Sequence, residues 1–160
     1  MKIKEIIAAL ENWAPKSYQE PYDNSGLIVG SAEGEVTKCL VSLDCIESVL
    51  DEAIEKGAEL IVSHHPIVFS GLKSLTGKNY VERVIIKAIQ NNIAIYAIHT
   101  NLDNISTGVN FKIAKKLKLI NIKVLAPKQG LLKKLVTFVP VANAEQVKNA
   151  LFEAGAGHIG

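Results

Sequence analysis

The chain has 160 residues, enough for one ordinary domain or for one domain with a piece of another. Hydrophobic residues make up 48% and charged residues 21%, a balance that excludes a disordered chain. The formal net charge is only +2, and a single arginine, Arg83, stands among 18 basic residues, so neither a strong field nor guanidinium forks point to nucleic acid or an anionic membrane.

In chain order, Ile3, Ile6, Ile7, Leu10 and Trp13 share one helical face, and Pro15 stops that helix. This amphipathic start is not the apolar core of a signal peptide. A loop, Tyr22-Asp23-Asn24-Ser25-Gly26, precedes the apolar run Leu27-Ile28-Val29. Cys39 to Leu43 reads as a strand. Ile46, Val49, Leu50, Ala53 and Ile54 predict a helix closed by Gly57. Leu60 to Val62 is a second strand, ending at Ser63-His64-His65-Pro66. Val81, Val84, Ile85, Ala88 and Ile89 mark a further helix, and Ile93 to Ile98 a third strand that ends in His99-Thr100-Asn101-Leu102-Asp103. Ser106 or Thr107 is the expected cap of a helix with Val109, Ile113, Ala114 and Leu117 inside. Ile122 to Leu125 reads as a fourth strand.

Apolar strands alternating with amphipathic helices predict an α/β protein whose mainly parallel sheet is flanked by helices. The composition shifts at Ala126-Pro127-Lys128-Gln129-Gly130. Beyond it, Leu135 to Val139 reads as a strand. Asn143 reads as an N-cap with Gln146 at the capping-box position, and Val147, Ala150 and Leu151 as an inner face closed by Gly155. One strand and one helix bury no core of their own, so this tail is expected to be a domain cut short.

Ligands of an open parallel sheet gather beyond the carboxyl ends of its strands. Three successive strands end there in Asp44, in His64-His65, and in His99 through Asp103, which puts three of the four histidines at one edge. Neighbouring histidines in an extended chain point to opposite sides, but at a strand end turning into Pro66 they can flank one site. That suits two metals sharing a site, with Asp103 as a hard oxygen ligand. Imidazole plus carboxylate favours zinc, manganese or iron without choosing among them. Two such ions about 3.5–4 Å apart activate water at neutral pH. The alternatives stay open at this level. A histidine is ordinarily satisfied by hydrogen bonds, Asp103 could make an Asx-turn, and His99 could either hydrogen-bond to a metal ligand from behind or transfer a proton. Three ligands are also fewer than a closed two-metal site requires.

Other patterns fail. Gly155 to Gly160 spells G-x-G-x-x-G but follows a helix, where a dinucleotide site needs a strand. Gly71 to Lys78 has the wrong spacing for a P-loop and Asn79 where Ser or Thr belongs. Lys112, Lys115, Lys116 and Lys118 read as a solvated helix face. Cys39, expected to pack in the sheet, and Cys45, just beyond its edge, match no redox or zinc spacing and have no positioned base. A reduced, soluble, cytoplasmic protein is the expectation.

The strings Tyr22-Asp23-Asn24-Ser25-Gly26-Leu27, Ser63-His64-His65-Pro66 and His99-Thr100-Asn101-Leu102-Asp103 closely resemble the Nif-three-like family, named GTP cyclohydrolase 1 type 2, and the resemblance runs over essentially the whole chain. It implies a dinuclear metal centre with His64, His65 and Asp103 as ligands, completed by a further His and Glu near the C-terminus of a longer chain. It also implies toroidal hexamers built from dimers, with metal sites facing an internal cavity. By this resemblance residues 1–125 are the first half of a metal-binding α/β domain and 126–134 a linker. Residues 135–160 are then the start of an inserted ferredoxin-like (nitrogen-regulator-like) domain.

The expected function is a metal-dependent hydrolase of a nucleotide or similar small molecule, with conversion of GTP to dihydroneopterin triphosphate as the named candidate and His99 as catalytic residue. A non-enzymatic metal-binding or regulatory assembly protein is the alternative, and a plain α/β domain with structural histidines the blandest reading. A chain that stops before the missing ligands is expected to bind metal weakly and not to catalyse.

Overall fold

The computed structural model describes residues 1–127 and 134–157. They fall into two units, Met1–Lys123 and the residues from Val124 onward, each described by itself.

The first unit is a mixed α/β layer structure. A central sheet has the order β1-β4-β3-β2, from β1 (Gly26–Val29), β2 (Cys39–Ser42), β3 (Leu60–Ser63) and β4 (Ala94–Ala97). β2, β3 and β4 run parallel, with Cys39 opposite Leu60 and Leu60 opposite Ala94. β1 lies antiparallel on the far side of β4, Gly26 opposite Ala97, with an irregularity between Leu27 and Val29. The sheet is thus mainly parallel with one reversed edge strand. This reversal has a consequence for the site. It brings the residues entering β1 to the edge where β3 and β4 end.

Both faces of the sheet are covered, which is why β3 and β4 are buried at every position. Side chains alternate, so Leu60, Val62, Ala94 and Tyr96 face α1 (Ile3–Trp13), where Ile3 is buried and Ile6, Ile7 and Leu10 are packed. Ile61 and Ile95 face the opposite layer, made of α2 (Glu47–Lys56) and α3 (Tyr80–Gln90) through Leu50, Ala53, Val84, Ile85 and Ala88. Each such buried aliphatic side chain contributes roughly 1.5–3 kcal/mol. By comparison, the Arg83–Glu47 pair joining α3 to α2 at 2.8 Å is exposed and screened by solvent, so it adds little. Burial holds the layers together; the ion pair only trims their edge.

The helix ends obey local chemistry. Gly57 closes α2 in the left-handed region at φ 64°. Asn79 caps α3, its side chain accepting from the Glu82 N–H at 2.9 Å while its amide donates to the Glu82 carboxylate at 3.1 Å. α4 (Thr100–Asp103) is a single turn directly after β4, and α5 (Val109–Lys116) follows.

Several expectations are corrected. Trp13 lies off the buried face, 46% exposed, its indole N–H donating to the Thr107 hydroxyl at 3.1 Å. Neither Ser106 nor Thr107 caps α5; Gly108 occupies that position without a side-chain bond. Ile113 and Leu117 face solvent, while Ala114 is buried and Phe111 half-buried. Residues 122–125 form no strand and are exposed, because an apolar run becomes a strand only beside a partner with free ladder groups. Cys39 sits exposed on edge strand β2 instead of packing inside the sheet, and Cys45 is buried.

In the second unit, residues 134–140 carry no ladder, so the expected strand from Leu135 to Val139 is absent for the same reason. A 3-10 turn, Val141–Asn143, leads into α6 (Ala144–Glu153). Asn143 does stand at the N-cap but makes no capping bond. Val147 and Leu151 are half-buried, Ala150 exposed. Gly155 follows the helix end at φ 93°. Residues 128–133 of the expected linker and the last three residues of the Gly155–Gly160 string lie outside the described residues. Among the described residues no helix is long and apolar enough to cross a membrane.

Candidate metal centre

The site forms where β3 and β4 end. Past Ser63 two further backbone bonds tie the chain to the end of β2, His64 N–H donating to Ser42 at 3.1 Å and His65 N–H to Leu43 at 2.9 Å. The Ser63 hydroxyl, itself buried, donates to the His65 carbonyl at 2.9 Å and fixes the bend before Pro66. On the neighbouring strand, Ile98 N–H donates to the Ser63 carbonyl at 2.9 Å, which sets His99 beside the His64-His65 pair.

The three rings stand 5.0 Å (His64 to His65), 5.2 Å (His64 to His99) and 5.5 Å (His65 to His99) apart, centroid to centroid. Each offers a nitrogen within 4.8 Å of the other two. In every case Nδ1 is already committed. His64 Nδ1 meets the Ile98 carbonyl at 2.9 Å, His65 Nδ1 the Asp44 carboxylate at 2.7 Å, and His99 Nδ1 the Asp23 carboxylate at 2.8 Å. A carbonyl or a carboxylate oxygen only accepts, so each Nδ1 carries the proton and donates it. In the neutral ring, each Nε2 is therefore left with a bare lone pair. Fixing one ring nitrogen by a hydrogen bond to orient the other is how histidine is prepared as a metal ligand.

Asp103, on α4, reaches the cluster through His64, its Oδ1 lying 3.7 Å from His64 Nε2. That is too long for a hydrogen bond, and in the neutral ring with its proton on Nδ1 the facing Nε2 is an acceptor like the carboxylate. Two acceptors facing each other across this gap suit a shared cation, since nitrogen and oxygen ligands bind zinc at about 2.0–2.2 Å. The donor set, imidazole nitrogens plus one carboxylate, fits zinc, manganese or iron. His64, His65 and Asp103, the expected ligands, thus lie at one edge, and His99 joins the two histidines in the same cluster.

Asp23 is the residue that sequence reasoning missed. Its side chain is fully enclosed. Burial works against its charge. Hydrogen bonds from Thr100, His99 and Ser25 outweigh that and hold its carboxyl well below the usual carboxylate range. It belongs to the Tyr22–Leu27 string, yet no periodicity reveals that a strand entering the sheet backwards would deliver it here. Asp44 stood out at a strand end but without a role; it is the oxygen that orients His65. Phe69 adds an edge-on ring 6.1 Å from His99. The cysteines take no part: burial pushes the Cys45 thiol up to about 11 and also raises that of Cys39.

The sequence matches the Duf34/NIF3 (NGG1p interacting factor 3) family over residues 1–160. The chain belongs to the Duf34/NIF3 family. Among its Duf34/NIF3 relatives, a GTP cyclohydrolase 1 type 2 homolog of Halalkalibacterium halodurans is 47% identical over 156 residues, which cover 97% of this chain and 42% of that protein. A protein of the same name from Bacillus subtilis is 44% identical over 158 residues, covering 98% and 42%. The crystal structure of a Bacillus cereus protein related to NIF3 superposes with a TM-score of 0.76 at 40% identity, covering 100% of this chain and 45% of that one. The chain spans less than half the length of these Duf34/NIF3 relatives.

Proposed function

We propose that in the whole protein this chain supplies one face of a dinuclear divalent-metal centre, with His64, His65 and Asp103 as ligands. The centre serves a hydrolase acting on a nucleotide or related small molecule. The observation that carries this reading is the convergence of three imidazole rings at one sheet edge, each held through Nδ1. Imidazole nitrogens gathered in this way, with a carboxylate beside them, are the donor set a divalent cation takes.

Divalent ions bound there supply Lewis-acid activation of water near neutral pH and stabilise charge on the attacking and leaving oxygens. The chain's own residues orient that chemistry. The Ile98 carbonyl and Asp44 fix the planes of His64 and His65, and His99 Nε2 stands free to accept a proton and return it. The relatives' printed name makes opening of the GTP ring system the first reaction to test. In this reading, further ligands come from outside this chain, and the protein assembles as a hexamer in the cytoplasm. The segment from Leu135 opens a ferredoxin-like inserted domain.

The test is metal content and turnover measured together on the whole protein. His64→Ala and Asp103→Ala should each lose metal and lower hydrolysis at least about 100-fold, the scale of a missing electrostatic stabiliser. Undiminished hydrolysis by a metal-free variant would reject the reading. Metal bound in full with no turnover across a broad nucleotide screen would favour a binding or assembly protein instead.

A further inference from the structure

We propose that Asp23 is a positioning residue that holds neutral His99 in the Nδ1–H tautomer, so that the ring turns a bare Nε2 toward the cluster. That hold follows from what surrounds its two oxygens. Oδ1 accepts from His99 Nδ1 at 2.8 Å and from the Asn24 backbone N–H at 2.7 Å. Oδ2 accepts from the Thr100 backbone N–H at 3.0 Å, from the Ser25 hydroxyl at 2.9 Å and from the Thr100 hydroxyl.

The two hydroxyls are themselves committed as donors. The Thr100 oxygen accepts the Glu20 N–H at 2.9 Å, and the Ser25 oxygen accepts the His99 N–H at 3.3 Å, which leaves each hydroxyl proton for Asp23. Five donors therefore point at one enclosed carboxylate, and a backbone N–H faces each oxygen. Backbone donors do not reverse, so an amide, with its single oxygen, leaves one side unsatisfied, whereas five donors on two oxygens favour the ionised acid. An ionised acid beside Nδ1 only accepts, so the neutral imidazole carries its proton on Nδ1.

An amide makes the opposite demand. In Asp23→Asn the amide oxygen goes to the three donors around Thr100 and Ser25, and its NH2 turns toward His99. The ring must then accept at Nδ1 and carry its proton at Nε2, pointing into the cluster. The catalytic consequence rests on the hydrolase reading above; the tautomer does not.

Selective 15N-histidine labelling tests this, with the ring nitrogens of chelator-treated protein read by long-range 15N–1H correlation at pH 8. In the unsubstituted protein, His99 should show a protonated Nδ1 and a bare Nε2. In Asp23→Asn the proton should move to Nε2, while His64 and His65, held by Ile98 and Asp44, keep theirs on Nδ1. An Nε2–H tautomer in the unsubstituted protein overturns the proposal even if the variant fails to fold, and an unmoved proton in a folded variant overturns it as well. In the metal-loaded protein, Asp23→Asn should lower kcat about 100-fold, the scale of a lost proton acceptor, with KM changed less than about threefold and metal content unchanged. Absence of turnover in the unsubstituted protein would sink the hydrolase reading and leave the tautomer measurement to decide the role of Asp23.

Discussion

Asp44 shows how much a single exposed residue does at this edge. His65 is the most exposed of the three rings, 47% accessible, and apart from its own backbone its orientation depends on one bond, 2.7 Å to Asp44. His64 leans on a backbone carbonyl that substitution cannot remove, and His99 on an enclosed acid. Asp44→Ala should therefore leave the fold intact and weaken metal binding about 10–100-fold, the range seen when a partner that orients a ligating histidine is lost. Competition against a chromogenic chelator measures this; an unchanged affinity would place the ion away from His65. At this scale the sequence was partly legible. Histidines at two neighbouring strand ends announce themselves, and Asp103 follows them within one helical turn. Asp23 does not, because its place depends on the direction of β1, and the three-residue apolar run Leu27-Ile28-Val29 carries no direction.

At the scale of elements, the parallel core strands and their helices follow directly from apolar periodicity, and Gly57 marks a helix end as read; the Asn79 cap of α3 emerges only in the structure. The apolar runs at 122–125 and 135–139 mislead because hydrophobicity alone does not supply a neighbour to pair with. A subtler element is the tie between β2 and β3. The Glu59 carboxylate accepts from the Lys38 N–H at 2.9 Å, the Thr37 N–H at 3.0 Å and the Thr37 hydroxyl at 2.9 Å, all just before β2. These bonds, led by that from Lys38, lower its pKa from 4.5 to about 2. A carboxyl with a depressed folded pKa stabilises the fold fully above its unfolded value, and that contribution is lost as pH falls toward the folded value. The urea midpoint should thus drop between pH 4.5 and about 2, and Glu59→Gln should flatten that part of the profile. An equally steep profile in the variant would show that other carboxylates govern acid unfolding.

For the whole molecule, the layer order explains why chemistry gathers at one edge. With both faces of the sheet covered by helices, β3 and β4 are buried throughout, and polar groups can meet only beyond their ends. The reversed β1 adds Asp23 to that edge, and α4 adds Asp103. Three histidine rings then share one space, with Asp103 beside His64. Anomalous diffraction from crystals of the whole protein grown with zinc or manganese tests this most directly. The account predicts anomalous peaks about 2.0–2.2 Å from His64 Nε2, His65 Nε2 and an Asp103 oxygen. Peaks found only elsewhere, or none at a saturating metal concentration, would contradict it.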